Sequence, residues 1–466
     1  MSIPGVSRIL ESMVVEKMSK SKGATFSIDL TFNQSTSGIE IKPEKLIGIS
    51  IVQDFLGGMI DTIQMKCTFF PKDYVTLLEN AQDLKVSMIQ KRWLRDIYST
   101  SLKDSPDVYE FKVMIQNPND LLRQVPPSTF KQTENENYDR DQLKTPIELE
   151  MQLTPEIDYE AMKQKGTTTL CDTDVSSVIL YMCNLWNIKN TNISSIENDK
   201  KYPVIEIPAM TELPALINEL QSKYGMYKKG AACYYSGNTL YVYPPFDTEP
   251  DKDEVVNIFK LPENSVDGGD QYFLEEGSDL YLVTFSKVEA QNMATSSTEN
   301  KGNAVTIKQA DASTDLAREI TNDGKITLNP QSTVIAKLNS GNTTTGDQVN
   351  TKHKGTTANV FDALSDIASG QMEMVALGWV HAKPWLIKPA MKCILHYDDT
   401  SIGSGSDEDF YNTTVGIVAR VEYSLYVQNK VGGSDYTYRW DAKLALATPP
   451  KEPTDGQVQQ PVPQTK

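Results

Sequence analysis

Three histidines are the first candidates for chemistry in this sequence, because imidazole is a common general base and a frequent metal ligand. They are His353, His381 and His396. His353 lies in a polar stretch, while the other two lie on or at the ends of predicted strands. So few histidines give little material for a His-based nucleophilic triad or a His-rich metal centre. We therefore expect His381 and His396 to be hydrogen-bonded structural residues.

Clustered carboxylates are the second candidate, within the segment DDTSIGSGSDEDF. Asp398, Asp399, Asp407, Glu408 and Asp409 could supply oxygen ligands to calcium, a hard cation that favours carboxylates. The segment does not match the D-x-[DN]-x-[DN]-G loop, so a solvated hairpin tip between two strands is the favoured interpretation. No pair of carboxylates stands out as the acid and base of a glycosidase.

A tyrosine-rich hairpin is the third candidate. Tyr234 and Tyr235 precede a Ser-Gly-Asn turn, and Tyr241 and Tyr243 follow it. Exposed aromatic rings could stack on sugars or on single-stranded nucleic acid. Cross-strand tyrosine pairs also stabilise sheets, and no dense basic stripe accompanies these four. We favour the structural role.

Motifs for other chemistries are missing from the sequence. It contains no P-loop, no dinucleotide-binding GxGxxG before a helix, no HExxH and no GxSxG. The five cysteines are scattered and form no CxxC pair, so we expect reduced core residues: Cys67, Cys171, Cys183, Cys233 and Cys393. The sequence therefore predicts no catalytic, cofactor-binding or metal-binding residue, and a protein that is not an enzyme.

Charge and hydropathy narrow the classes further. The 466 residues suffice for about three domains. A net charge of −17 disfavours binding to nucleic acid through an overall positive field. The longest apolar run, 178–183, is far shorter than a membrane-spanning helix, and the first twenty residues lack the pattern of a secretory signal. We expect no membrane insertion.

The periodicity of apolar residues predicts an α+β, mainly β protein with two small antiparallel β-barrel domains. Residues 1–21 form a helical arm, with a helix over 5–19 that packs on its own domain or docks on a partner. Residues 22–160 form the first barrel, because apolar and polar residues alternate in several segments. These strands are expected at 24–32, 46–51, 63–69, 84–89, 109–115 and 147–153, with a long loop at 123–146.

Residues 161–280 are expected to form an α+β domain between the barrels. Apolar residues at helical spacing predict a helix over 175–186, with Asp172 and Thr173 as capping candidates. A second helix is predicted over 212–224, ended by Gly225. The tyrosine-rich hairpin follows at 232–244.

Residues 281–447 are expected to form the second barrel. A long polar insertion at 290–360 predicts extended, partly ordered chain, and a short helix is predicted at 360–368. Alternating strands are predicted at 372–381, 391–397, 415–427 and 436–446. The Pro- and Gln-rich tail 448–466 is typical of disorder.

Two segments carry a resemblance to a known family. The run IPAMTEL at 207–213, followed by YGMY at 224–227 and LYVYP at 240–244, resembles the second domain of the baseplate central hub of contractile-tailed phages and of the hub half of VgrG spike proteins. The run LIKPAMK at 386–392 before the last strands is similar to the entry of the hub's last barrel. Ala390 stands there in place of the family's glycine.

This resemblance implies a virion structural protein at the tip of a phage tail, made in the host cytoplasm. Such hubs form homotrimers whose two barrels per chain make a ring, which adapts the hexameric tail tube to the trimeric spike. The implied partners are the spike protein, the tail tube protein and other baseplate proteins. Phage DNA would pass through the enclosed channel without specific binding.

Two alternatives remain open from the sequence. One is another baseplate or tail component, such as a wedge part, a tube initiator or a distal tail adaptor. The other comes from a different class and is a carbohydrate-binding or cell-wall hydrolytic β-rich protein.

Overall fold

The computed structural model describes eighteen segments of the chain. They are residues 6–18, 25–34, 38–81, 83–93, 106–115, 146–198, 200–247, 255–261, 273–284, 289–291, 304–311, 316–320, 326–329, 335–339, 347–348, 372–398, 411–430 and 436–448. The predicted loop at 123–146, the helix at 360–368 and the tail at 448–466 lie outside these residues or almost entirely so.

Five helices are present in the described segments. They are α1 Arg8–Met18, α2 Pro71–Glu79, α3 Glu156–Met162, α4 Val175–Leu185 and α5 Leu213–Lys223. The sequence predicted α1, α4 and α5 and missed α2 and α3, which are shorter and therefore carry little periodicity. None of the described helices is long and apolar enough to cross a membrane.

Strands dominate the fold, which confirms the prediction of a mainly β protein. The strands up to the middle of the chain are β1 Thr25–Gln34, β2 Ile39–Ile41, β3 Lys45–Asp54, β4 Thr62–Phe69, β5 Leu84–Trp93, β6 Asp107–Ile115, β7 Ile147–Pro155, β8 Lys165–Thr173, β9 Asn190–Ile193, β10 Tyr202–Glu212, β11 Ala232–Ser236 and β12 Thr239–Tyr243. The later strands are β13 Val255–Lys260, β14 Phe273–Glu276, β15 Asp279–Thr284, β16 Glu289–Gln291, β17 Ala304–Asp311, β18 Leu316–Ile320, β19 Ile326–Asn329, β20 Ile335–Asn339, β21 Asp347–Gln348, β22 Glu373–Ala382, β23 Lys392–Asp398, β24 Tyr411–Lys430 and β25 Tyr436–Thr448.

Eight strands close into a ring in the order β24-β3-β4-β7-β6-β5-β1-β25, because β24 also pairs with β25. We call these eight strands the first ring. Six of them come from the first third of the chain and two from its end. Alternating side chains of these strands are buried, among them Phe26, Ile51, Cys67 and Leu149. The early strands therefore do not close on themselves.

The two long strands β24 and β25 each serve two parts of the sheet. In β24, residues 411–417 pair with β23 and residues 420–424 pair with β3. The register shifts between Val418 and Arg420, where the strand passes from one partner to the next. In β25, Tyr438 and Arg439 pair with β1, while residues from Trp440 onward pair with β22. One continuous sheet thus joins the two β regions.

The second β region contains β13, β14, β15, β22 and β23 together with the other halves of β24 and β25. The strands predicted at 372–446 pair antiparallel, whereas β13, from the segment assigned to the middle domain, pairs in parallel with both β15 and β23. The Thr284 hydroxyl donates to the carbonyl of Gly378, which holds β15 against β22. Strands from residues 255–284 are therefore part of this region.

Helix α1 packs on this second region. Leu10, Val14 and Met18 contact Phe259 and Val283 in one apolar cluster. The prediction of a helix is confirmed, and its buried face lies on its own chain rather than being held ready for a partner.

The middle body, which we define as residues 165–247, has a separate apolar core. Helices α4 and α5 pack on the β8–β10 ribbon and on a small sheet of β9, β11 and β12. Asp174 caps α4, since its carboxylate accepts the backbone N–H of Ser177 at 2.8 Å. The predicted caps Asp172 and Thr173 lie two residues and one residue too early, respectively. Gly225 has φ 78°, as expected for a residue that ends a helix.

Five short strands fall within the predicted polar insertion. β17 to β21 form an antiparallel sheet of their own in the order β19-β18-β17-β20-β21. The main sheet and the middle body do not depend on it for their pairing.

The shared strands lead to a first prediction. A chain that ends at residue 410 lacks β24 and β25, so β1 and β3 each lose the pairing that closes the first ring and the ring stays open. We expect this chain to show no cooperative thermal unfolding by circular dichroism. A chain that ends at residue 448 is the control and should unfold like the full-length protein. Cooperative, native-like melting of the shorter chain would show that the first ring closes without the late strands.

Candidate functional site

His396 is a structural residue, as predicted. Its Nδ1 is hydrogen-bonded to the hydroxyl of Tyr411, and its Nε2 lies 3.1 Å from Oδ1 of Asn257. The ring stacks on Phe259 at 5.0 Å between centroids. Burial lowers the pKa of His396 to about 4, so the imidazole is neutral at pH 7.

The other sequence candidates fall in different places. His381 is buried at the end of β22, and its backbone N–H donates to Asp441 at 3.2 Å. Asp398 ends β23, and its Oδ2 accepts the backbone N–H of Ser7 at 2.7 Å, directly before α1. A carboxylate is favourable at that end of a helix. His353 and the other acids of the cluster, at 399 and 407–409, lie outside the described residues.

The cysteines do not form a site. Cys67, Cys183 and Cys393 are buried, Cys233 is half-buried and Cys171 is exposed. The expectation of core cysteines is therefore wrong for Cys171. Among the described residues, no group of three or more His, Cys, Asp or Glu side chains could hold a metal ion.

The tyrosine-rich hairpin is packed inward and offers no stacking platform. Tyr234, Tyr235 and Tyr243 are at most 2% exposed. Tyr243 donates its hydroxyl hydrogen to the carbonyl of Phe55 at 2.7 Å. The structural role predicted for these residues is confirmed, since Tyr234 lies opposite Tyr241 in the hairpin, and the hairpin also binds the β3–β4 connection of the first ring.

A buried carboxylate lies where this hairpin meets the first ring. Asp61 is 3% exposed and directly precedes β4. Its Oδ1 accepts from the Tyr234 hydroxyl at 2.7 Å and from Gln53 Nε2 at 3.0 Å. Its Oδ2 accepts from the indole N–H of Trp385 at 2.7 Å. We use the name acid junction for Asp61, Gln53, Tyr234 and Trp385 together with Asp158, which is described below.

The donors around Asp61 come from three distant parts of the chain. Gln53 belongs to β3, Tyr234 to β11 of the middle body and Trp385 to the connection between β22 and β23. The connection between β3 and β4 reinforces this contact, since the backbone N–H of Tyr235 donates to the carbonyl of Met59 at 2.7 Å. Met59 and Ile60 also pack against the core of the middle body. Asp61 therefore joins the first ring to both other parts.

Asp158 is the second carboxyl of the acid junction. It lies on α3, beside the tip of the hairpin, and is 1% exposed. Burial, and to a lesser extent the charge of Asp61, raise the pKa of Asp158, the backbone N–H of Asn238 opposes the rise, and the pKa lies at about 8 as a result. At pH 7 this carboxyl is therefore mainly the neutral acid.

The pKa of Asp61 is subject to a different set of opposing effects. Burial raises its pKa, while the hydrogen bonds from Gln53, Tyr234 and Trp385 oppose the rise. Two interacting carboxyls titrate as a unit, and the one with three donors is better able to carry the negative charge. Three donors thus oppose the effect of burial on the pKa of Asp61, whereas only the backbone N–H of Asn238 does so for Asp158.

The acid junction does not have the properties of a hydrolytic site. Both carboxyls are closed to solvent, and Asp61 is fully engaged by internal donors. A glycosidase pair must face a substrate cleft. The chemistry available here is proton binding and the joining of chain segments.

Sequence patterns could not reveal this site. Asp61 has the appearance of an ordinary turn residue, and α3 was not predicted. The available signal was weak and consisted of an acid directly before a strand with strict alternation.

The end of β22 and the connection from it to β23 carry unusual backbone conformations. His381, Trp385 and Ala390 have φ of 52°, 61° and 69°. Side chains other than glycine are disfavoured there. Ala390 replaces the glycine of the resembled family and nevertheless keeps a conformation that favours glycine.

This conformation predicts the effect of restoring glycine. Ala390→Gly should raise the free energy of unfolding by about 0.5–1 kcal/mol, because the relief of left-handed strain exceeds the added entropy of the unfolded chain. Ala376→Gly is the matched control, since Ala376 is equally half-buried but lies in regular β22. The control should lower stability by a similar amount. Urea denaturation measures both, and a loss of stability in Ala390→Gly would contradict the interpretation.

A second prediction concerns Asp61. Asp61→Asn places an amide where two oxygens accept three donors, so one N–H faces another donor. We expect a loss of about 1–3 kcal/mol in the free energy of unfolding. Asp29→Asn, at an exposed position of β1, is the control and should change it by less than about 0.5 kcal/mol. Equal effects of the two substitutions in urea denaturation would refute the role given to Asp61.

The chain was compared with known proteins. The model of one protein family matches residues 71–347, more than half of the chain, and its description is bacteriophage PBS1 gene 109 protein. No curated protein matches the chain.

Solved structures with similarity to the chain share little sequence identity with it. The tail protein from Neisseria meningitidis MC58 is 11% identical at a TM-score of 0.45, covering 91% of this chain and 96% of that one. The E. coli c3393 protein, a type VI secretion component described as similar to T4 tail proteins, is 6% identical at a TM-score of 0.38, with coverages of 91% and 77%. A P2 virion baseplate model is 9% identical at a TM-score of 0.30, with coverages of 91% and 100%.

TM-scores below 0.5 add no functional argument, and the extent of the family match decides the assignment. The resemblance to phage proteins predicted from the sequence is confirmed, and the chain belongs to the bacteriophage PBS1 gene 109 protein family.

Proposed function

We propose that this chain is a non-enzymatic virion structural protein, a baseplate hub at the tip of a phage tail. Membership of a bacteriophage family supports a role in the phage. The observation that carries the proposal is the pair of strands β24 and β25, which fuse two β regions of one chain into a single sheet. Such a chain holds two β bodies in fixed positions relative to each other, which a protein that connects the tail tube to the spike requires.

The fused β bodies fit a homotrimer that adapts the hexameric tail tube to the trimeric spike. Three chains with two small barrel-like bodies each would supply six bodies around one axis. In a closed trimer each contact joins two different surfaces of neighbouring chains. The partners are then the tail tube protein, the spike protein and other baseplate proteins, and the location is the tail baseplate of the virion.

Helix α4 offers a surface for such assembly. Its eleven residues include no charged side chain. Leu180, Tyr181 and Leu185 are 45%, 45% and 54% exposed on its outer face. A chain of net charge −17 repels its copies, so an uncharged apolar face is a favourable place for contact. We assign this face to the contact between hub subunits.

The acidic balance also fits a channel for phage DNA. Carboxylates at the lumen would repel phosphate and let DNA pass without specific binding. Synthesis in the host cytoplasm precedes assembly into the tail.

Another baseplate or tail component, such as a wedge part, is the alternative within the same class. It would not form a trimer with the spike. A carbohydrate-binding or cell-wall hydrolytic protein is the alternative from a different class, and turnover of cell-wall material would identify it. The inward packing of the hairpin tyrosines gives no support to a sugar-stacking surface.

Oligomeric mass tests the proposal. Light scattering should give a trimer, three times 52.0 kDa, for the purified protein alone or after addition of the spike protein from the same genome. A protein that stays monomeric when the spike protein is added would contradict the hub proposal and favour a peripheral component.

The same measurement tests the α4 surface. Leu180→Glu combined with Leu185→Glu puts carboxylates on the proposed contact and should reduce the trimer to monomers. Val108→Glu is the matched control, because Val108 is 56% exposed on β6 and lies outside the proposed contact. Circular dichroism should show that both proteins remain folded. A trimer that persists in the double variant would remove α4 from the interface while leaving the hub proposal standing.

A further inference from the structure

The contact between the middle body and the first ring is unusually polar at its centre. Tyr234 packs its ring against Phe55 at 4.9 Å, but its hydroxyl ends on Asp61. Asp158 is 1% exposed and interacts with the backbone N–H of Asn238 at the hairpin tip. Two buried carboxyls, one directly before β4 and one on α3, therefore interact with one hairpin of the middle body.

We propose that the acid junction is a proton-linked latch: the hairpin β11–β12 is docked while Asp158 carries a proton, and undocking releases that proton to water. The proposal concerns the internal mechanics of this chain. It holds whether or not the chain is the tail hub.

The surroundings of Asp158 favour its neutral form. Of the described groups that shift its pKa electrostatically, the carboxyl of Asp61 raises it and none is a cation. The hydroxyls of Tyr234 and Tyr235 also interact electrostatically with Asp158, and burial raises the pKa of both, so they stay neutral. No nearby positive charge compensates an ionised Asp158 in the docked state.

The lysine side chains on and next to α3 interact with other residues. Lys85 on β5 pairs with Glu156 at 2.5 Å, at the start of α3. Lys112 on β6 lies 4.6 Å from the centre of the Tyr159 ring. Lys163 pairs with Glu160 at the exposed end of the helix. The contacts of Lys85 and Lys112 hold α3 on the sheet. Asp158 therefore interacts with the acid junction rather than with these lysines.

The direction of the pH effect follows from the two states. Docked Asp158 has a pKa of about 8, and an Asp exposed to water has a pKa near 3.9. Between about pH 4 and pH 8 the docked state therefore holds a proton that the undocked state has lost. The docked state is favoured at the acidic end of this window and weakens as the pH rises through it.

The strained connection between β22 and β23 depends on the same contact. Trp385 has φ 61° and is held by Asp61 on one side and by the Tyr109 ring, at 4.2 Å, on the other. Strained backbone of this kind persists only while its surroundings hold it. Loss of the docked hairpin would remove one of the partners of Asp61 and loosen this support.

Hydrogen exchange resolved to single amides tests the latch in the full-length protein. The N–H of Tyr235 crosses the contact to the carbonyl of Met59, so undocking exposes it. The N–H of Trp186 bonds to Met182 within the middle body and is the internal reference. After correction for intrinsic exchange, the Tyr235 rate should rise about tenfold per pH unit between pH 5 and pH 7, and the Trp186 rate should not.

Two variants separate the latch from general instability. Asp158→Asn cannot release a proton, so the pH slope at Tyr235 should vanish. Glu160→Gln removes an exposed carboxylate from the same helix and should keep the wild-type slope. The proposal is overturned by a flat wild-type profile at Tyr235 or by a slope that persists in Asp158→Asn. If Asp158→Asn does not fold, equal slopes at Tyr235 and Trp186 in the wild type overturn it, and a slope at Tyr235 alone supports it.

Discussion

The closure of the first ring by strands from the end of the chain is the constraint on which the other features depend. An open sheet exposes unpaired backbone groups, and the six early strands leave β1 and β3 as edges. β25 covers one edge and β24 covers the other. The indole N–H of Trp440 reinforces the closure from within, since it donates to Gln90 on β5 at 2.9 Å. The start of the chain is therefore incomplete until its end has folded.

Ring closure also explains why polar groups are buried where three chain segments meet. The β3–β4 connection, the tyrosine-rich hairpin and the β22–β23 connection have no shared hydrogen-bond ladder at this point. A carboxylate that accepts three donors can define their arrangement, because each alternative packing leaves a buried donor unpaired. Apolar contacts alone would be less selective. The cost is the burial of carboxyl groups, and the neighbouring Asp158 stays neutral chiefly because burial raises its pKa.

Local elements could be predicted from the sequence, and their partners could not. Strict alternation identified β1, β4, β6, β7 and β22 to β25, and helical spacing identified α1, α4 and α5. Both patterns are local and reflect which face is buried. The parallel pairing of β13 with β23, by contrast, joins residues more than 130 positions apart. Asp61 escaped prediction for the same reason, since Tyr234 and Trp385 are remote in sequence and only folding brings them together.

The shared strands also determine which parts of the molecule can move independently. β24 runs through both β regions with hydrogen bonds on each side, so a change in their relation would break ladder pairs in both. The middle body has its own apolar core and meets the first ring mainly through the β3–β4 connection and one hairpin. Local opening is least costly where few contacts cross a boundary. A conformational change in this chain is therefore expected at the acid junction, while the fused β regions stay fixed.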